Sequence, residues 1–178
     1  MANDATKTFV AGDGAVWHAP LGTALPTTIT GTINPLFKEL GYFDDAGVKR
    51  DEPTTDAEIV AWQGAAVVRT IRSKHSVTYA FTALEDNDEV IKATRGSGTA
   101  AAYTITGKLP VNEAFVIEER DGTTLRLTCI PNGRVTDIGA MVNSNAGISA
   151  LPLTITCYPD ANGIKAYVYK GTDDDSSF

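Results

Sequence analysis

The sequence predicts a mainly β protein, built from short antiparallel hairpins with one helix packed on them. The first observation behind this is a set of turn dipeptides, Asp13-Gly14, Asp121-Gly122, Asn132-Gly133 and Asn162-Gly163, all of which favour the positive φ of tight hairpin turns. The second is the period-two alternation of apolar and polar residues between them. A single short segment carries helix-capping residues instead.

From the N-terminus, residues 19–35 hold three prolines, two glycines and many threonines, which predicts a loop lying on the surface. A charged tract follows, with Asp44-Asp45 and then Lys49-Arg50-Asp51-Glu52-Pro53. It runs into an arm, Thr54-Thr55-Asp56-Ala57-Glu58-Ile59-Val60-Ala61-Trp62-Gln63-Gly64, that continues through Val67-Val68-Arg69-Thr70. Trp and Arg dominate protein–protein contacts because they bury large area with a polar handle. Trp62 in this charged, Gly-flanked setting therefore reads either as a contact for a neighbouring subunit or as a side chain folded back onto its own core.

Next comes a strand in which His75, Val77, Tyr79, Phe81 and Ala83 share one face. The helix follows, with Asp86 as its cap and Glu89 returning the bond as a capping box. Val90, Ile91 and Ala93 form its apolar face, and Gly96 ends it. Three strands then form a meander: about 113–120, a turn at Asp121-Gly122, 123–130, a turn at Pro131-Asn132-Gly133, and 134–142. A second hairpin pairs about 151–158 with 163–170 through Asp160-Ala161-Asn162-Gly163. The acidic tail 171–178 closes the chain. No internal repeat or compositional break divides the 178 residues, so the expectation is one domain over 1–178.

Composition excludes several function classes. No run of 18 apolar residues occurs, so no helix spans a membrane, and the N-terminus lacks the basic and apolar regions of a secretory signal. The net charge of −7 argues against a sequence-reading nucleic-acid binder, which would gather Lys and Arg on one face. It is compatible with a surface past which nucleic acid slides, and equally with acidity that serves solubility alone. The two cysteines, Cys129 and Cys157, sit in separate alternating runs without a Cys-x-x-Cys pairing, which reads as buried free thiols. The two histidines, His18 and His75, have no nucleophile elbow to serve, and His75 on an apolar strand face reads as structural. Clustered Cys and His for zinc are absent, Asp173-Asp174-Asp175 lacks the spacing of a calcium loop, and Arg95-Gly96-Ser97-Gly98 ends a helix rather than cradling a phosphate. The expectation is a non-enzymatic protein without a cofactor.

The order of several short motifs resembles one known family. Gly14-Ala15-Val16-Trp17-His18-Ala19-Pro20-Leu21-Gly22-Thr23-Ala24-Leu25-Pro26 resembles the start of major tail tube proteins of long-tailed (siphovirus-type) phages, particularly those of actinobacterial hosts. So do Gly41-Tyr42 with Gly47-Val48, Ile59-x-Ala61-Trp62-x-Gly64 leading to Val68-Arg69-Thr70, and Tyr79-x-Phe81-Thr82-x-Leu84-Glu85 with Val90. The resemblance is most secure over residues 12–95. It implies an antiparallel β-sandwich or half-barrel with one flanking helix. It also implies hexameric rings of identical subunits, stacked into a hollow conduit through which DNA leaves the virion. The inner sheets would join into one barrel without free edges.

In that setting the loop at about 44–70 becomes an inter-subunit arm, with Asp56, Ile59, Trp62 and Arg69 as contact residues. Six copies at −7 give roughly −42 per ring, a charge that would keep phosphate from sticking. Glu113, Glu118, Glu119 and Asp121 are the candidates to face the lumen. The implied partners are further copies of the chain, a tape measure protein, tail terminator or tip proteins, and DNA passing without specific binding. The resemblance also implies assembly in the host cytoplasm and residence in the virion. Two other readings fit the same residues: a tube subunit of a tailocin or contractile secretion system, or a monomeric immunoglobulin-like binding module that would have no use for the Trp62 arm.

Overall fold

The computed structural model describes residue 4, residues 7–145 and residues 147–172. The acidic tail is therefore outside the described residues from position 173 onward. In chain order the elements are β1 (Asp13–Pro20), β2 (Lys38–Glu39), β3 (Lys49–Asp51), β4 (Thr54–Val60), β5 (Val67–His75), β6 (Thr78–Ala83), α1 (Asp88–Arg95), β7 (Glu113–Asp121), β8 (Thr124–Ile138), β9 (Leu151–Cys157) and β10 (Tyr167–Thr172). Every strand pairing is antiparallel. An eight-stranded sheet runs β2-β1-β7-β8-β9-β6-β3, with β10 also on β8, while β4 and β5 form a sheet of their own. The expected fold class, mainly β and antiparallel with one short helix, is what these residues form.

Alternation along β7 sorts its side chains to two faces. Phe115 and Ile117 enter one apolar cluster, Ala114 and Val116 the other. The first cluster joins Val16 of β1 to Phe81 of β6 and Ile155 of β9. Since β1 and β6 are separated in the sheet by β7, β8 and β9, their meeting requires the sheet to curl around Phe115 as a half-barrel. Residues 40–44 bridge the two ends, with Leu40 N donating to the Val16 carbonyl at 2.9 Å, Leu84 N to the Tyr42 carbonyl at 2.9 Å and Asp44 N to the Thr82 carbonyl at 3.0 Å. Helix α1 covers the same interior through Val90 and Ala93. The loop after β1 lies over the opposite face, where Leu25, Ile29 and Ile33 pack against Val116, Leu127 and Cys129. Its prolines keep it out of the sheet ladder, and its scattered apolar residues hold it to the sheet.

The cysteines fall in different clusters, Cys157 in the curled interior and Cys129 under the loop. Both are free and buried, as the sequence predicts. Burial pushes each thiol up to about 12, so neither supplies a thiolate nucleophile at neutral pH.

Several local expectations give way to tertiary pairing. The helix cap is Asn87, not Asp86: its side chain accepts from Glu89 N at 3.0 Å and Val90 N at 2.9 Å. The capping box does not form, because the Glu89 carboxylate is drawn instead to Lys92 Nζ at 2.7 Å and His18 Nε2 at 3.1 Å. Gly96 does end the helix, at φ 79° with its N–H on the Lys92 carbonyl. Asn87 Nδ2 also donates to the Leu40 carbonyl at 3.0 Å, tying α1 to the bridge between the sheet ends. Asn87→Ala is expected to lower stability by about 1–2 kcal/mol, read as a lowered midpoint in urea denaturation.

Pro131-Asn132-Gly133 does not reverse the chain. It lies inside β8, a continuous strand of 15 residues, at a register shift against β7. A Cβ on Gly133 would stand 2.9 Å from Phe115 Cδ2, so the glycine is needed for close approach of an aromatic ring. Asp13-Gly14 is likewise no turn but the straight start of β1, paired with Glu119 and Arg120. The predicted β9–β10 hairpin is absent too. The turn itself exists, with Gly163 N on the Asp160 carbonyl at 3.0 Å, but β9 pairs with β6 and the second half of β8, while β10 pairs with the first half. A strand as long as β8 presents two consecutive stretches of unpaired edge, and each takes a different partner. His75, expected on an apolar face, instead ends β5 in solvent beside Lys165, because the chain breaks pairing before β6 begins. Val77, Tyr79, Phe81 and Ala83 are buried as predicted.

Candidate assembly surface

The β4–β5 hairpin is the part of the molecule whose sequence chemistry the rest of the fold does not use. Its strands are rich in Thr, Val and Ile, which favour extended backbone. At its tip Ala61 N donates to the Ala66 carbonyl at 2.8 Å, closing a four-residue loop from Trp62 to Ala65. Gly64 at φ 68° and Ala65 at φ 52° make that turn; the second is the one non-glycine at positive φ among the described residues. Every residue of both strands is exposed. An isolated two-stranded hairpin is only marginally stable in water, and this one stands apart from the eight-stranded sheet.

Register sorts its faces. Ala57 opposes Ile71 and Ile59 opposes Arg69, so these four share one face, apolar with a single cation. Asp56 opposes Arg72 and Glu58 opposes Thr70 on the other face, where Arg72 Nε donates to Asp56 Oδ1 at 3.4 Å. Trp62 stands at the tip, 95% exposed, which removes the reading that folds it back onto its own core. Val60, Val67 and Val68 around the tip are exposed as well. Together with Trp62 they form an apolar patch in solvent at the end of an extended element.

Of the residues singled out in the sequence, Asp56, Ile59, Trp62 and Arg69 lie together on this hairpin, with Asp56 on the face opposite Ile59 and Arg69. The hairpin spans 54–75, whereas Lys49–Asp51, earlier in the predicted loop, belong to the main sheet as β3 paired with β6. Ile71 is the member that motif spacing did not single out; the cross-strand register puts it there. The four acidic candidates end elsewhere. Asp121 Oδ2 accepts from Val10 N at 2.9 Å, Glu118 pairs with Arg120 at 2.9 Å, and Glu119 pairs with Arg126 at 3.5 Å. Glu118 and Glu119 are consecutive on β7 and so leave opposite faces of the sheet.

Glu113 turns inward to His18 Nδ1 at 2.9 Å. His18 is 5% exposed, stacked beside Phe115, with Glu89 on its other ring nitrogen. The Glu89 carboxyl is opposed by its partial burial, yet the Lys92 and His18 hydrogen bonds hold it below the ordinary carboxylate range. This cluster ties β1, β7 and α1 together. Nothing in the spacing of His18, Glu89 and Glu113 along the chain announced it. Among the described residues no group of three His, Cys, Asp or Glu side chains could hold a metal ion.

Comparison with protein families gives a match over almost the whole chain: residues 1–175 match the family described as "Phage tail tube protein". No curated protein sequence matches. Among solved structures, a chain from "Virion of native gene transfer agent (GTA) particle" is similar at 9% identity and a TM-score of 0.39, over 96% of this chain and 100% of that one.

Proposed function

This chain belongs to the phage tail tube protein family, a structural rather than enzymatic component of the virion tail, and from that premise we propose that it is the subunit of a hollow DNA conduit made of stacked hexameric rings. The observation that carries the proposal is the β4–β5 hairpin, whose apolar face and Trp62 tip stand in solvent on an element too small to be stable alone. Such a surface is served by a neighbouring copy. Burial of its Ile, Val and Trp side chains would supply association energy, while backbone pairing at exposed sheet edges would close the ring.

The net charge of −7 per copy suits the same role. A tube wall of one negative sign repels the phosphate backbone, so DNA slides without making salt-sensitive contacts. The tape measure protein would fill the lumen before ejection, and terminator and tip proteins would close the two ends. The siphovirus-type tail and the actinobacterial host belong to this proposal and rest on the motif order in residues 12–95. A monomeric binding module accounts less well for an exposed, amphipathic hairpin.

Negative-stain electron microscopy of the purified chain over a rising concentration series tests the proposal. Rings or hollow tubes with six-fold end views are the expected result. Uniform small particles at every concentration, with and without a tail-tip initiator, would overturn it.

A further inference from the structure

A groove of about 840 Å³ opens beside β1, lined by residues 11–17, 41–48 and 118–120 together with Glu39, and no residue of the β4–β5 hairpin enters it. Two properties fit it to a strand-like, cationic visitor. One is backbone: β2 pairs only with Trp17 and His18, so β1 has no strand on its outer side at Asp13, Gly14 and Ala15. The other is charge. Glu118 and Glu119 are answered by Arg120 and Arg126, but Glu39 and Asp45 are exposed and have no basic partner among the described residues. Trp17, Tyr42 and Phe43 give the groove an aromatic lining, and Tyr42 is 77% exposed.

The hairpin offers the complement. In a chain of net charge −7, β5 carries Arg69, Arg72 and Lys74 and no acid. Arg72 is held by Asp56, whereas Arg69 faces only Ile59 across the hairpin. One face of the hairpin therefore presents Ala57, Ile59 and Ile71 around a guanidinium with no acidic partner among the described residues, with Trp62 at the end. We propose that the groove beside β1 receives the β4–β5 hairpin of a second copy of this chain, with Arg69 set against Glu39 and Asp45 and Trp62 against the aromatic lining. This rests on the self-assembly reading above and names the surface that the hairpin engages. Opposed charges would fix the register of docking, and the apolar residues would supply most of the affinity.

Charge exchange tests it, with polymer measured by sedimentation and by electron microscopy of the full chain. Arg69→Glu is expected to abolish sedimenting polymer, as is the pair Glu39→Lys with Asp45→Lys, while circular dichroism of each stays that of the parent. Combining all three substitutions is expected to restore polymer, which a merely structural role for these exposed side chains would not do. The neutral pair Glu39→Gln with Asp45→Asn is expected to assemble more weakly and with less dependence on salt. Arg69→Glu polymerising like the parent would overturn the proposal. So would a folded triple variant that stays unassembled, since the hairpin would then dock elsewhere. Failure of the parent chain itself to assemble would instead overturn the tube reading on which this one rests.

Discussion

A Trp62→Ala chain is expected to lose tube formation while melting at the same temperature as the parent. The two halves of this outcome follow from one fact, the 95% exposure of Trp62 in the isolated chain. Truncating a fully exposed side chain changes folding stability by no more than about 0.5 kcal/mol. Truncating a Trp that becomes the centre of an interface costs about 2 kcal/mol or more, a loss of about 30-fold or more in each subunit contact. Polymerisation multiplies that loss, because every added copy makes the contact again. The chain holds only one other tryptophan, the half-buried Trp17, so fluorescence offers a second reading. Parent emission should shift to the blue on assembly as Trp62 leaves water, and the variant should show no such shift. A Trp62→Ala variant that unfolds would show that the side chain supports its own fold, and one that assembles normally would show that it touches no neighbour.

Phe115→Ala should have the largest effect on the folded chain itself. Phe115 has no exposed surface, stands where the curled sheet closes on itself, and is among the largest of the fully buried side chains. Its ring fills the space left by Gly133 in the β8 bulge and stacks beside His18. Removing it leaves a cavity between strands that cannot collapse without breaking the β7–β8 register, so a loss of about 3–5 kcal/mol is expected. Against a total stability of about 5–15 kcal/mol this is a large fraction, visible as a lowered urea midpoint with an unchanged slope. An exposed control, Val68→Ala, is expected to stay within about 0.5 kcal/mol of the parent. A Phe115→Ala variant no less stable than that control would mean that the sheet does not close around this ring.

These two residues also mark what kind of information the chain carries locally. Alternation in 77–83, 125–129 and 151–157 identifies strands and their buried faces, because side chains on extended backbone point to opposite sides by geometry alone. Gly96 ends the helix for an equally local reason, since a left-handed residue is needed there. The arm was legible to the same degree: a Trp between Ala61 and Gln63 in a charged stretch is visible in the sequence, and the hairpin it caps is set by residues within 54–75.

By itself, then, the sequence determined the β content, the positions of most strands, the one helix, the two buried thiols and the arm that carries Trp62. The tertiary structure alone decided which strands pair, that Asn132-Gly133 bends a strand instead of reversing it, and that Asn87 rather than Asp86 caps the helix. It alone sent Trp62 into solvent and brought His18 between Glu89 and Glu113. The physical reason is range. Turns, alternation and capping potential depend on neighbours a few residues away, whereas strand partners and hydrogen bonds between residues 18, 89 and 113 exist only after the sheet has curled and its distant edges have met.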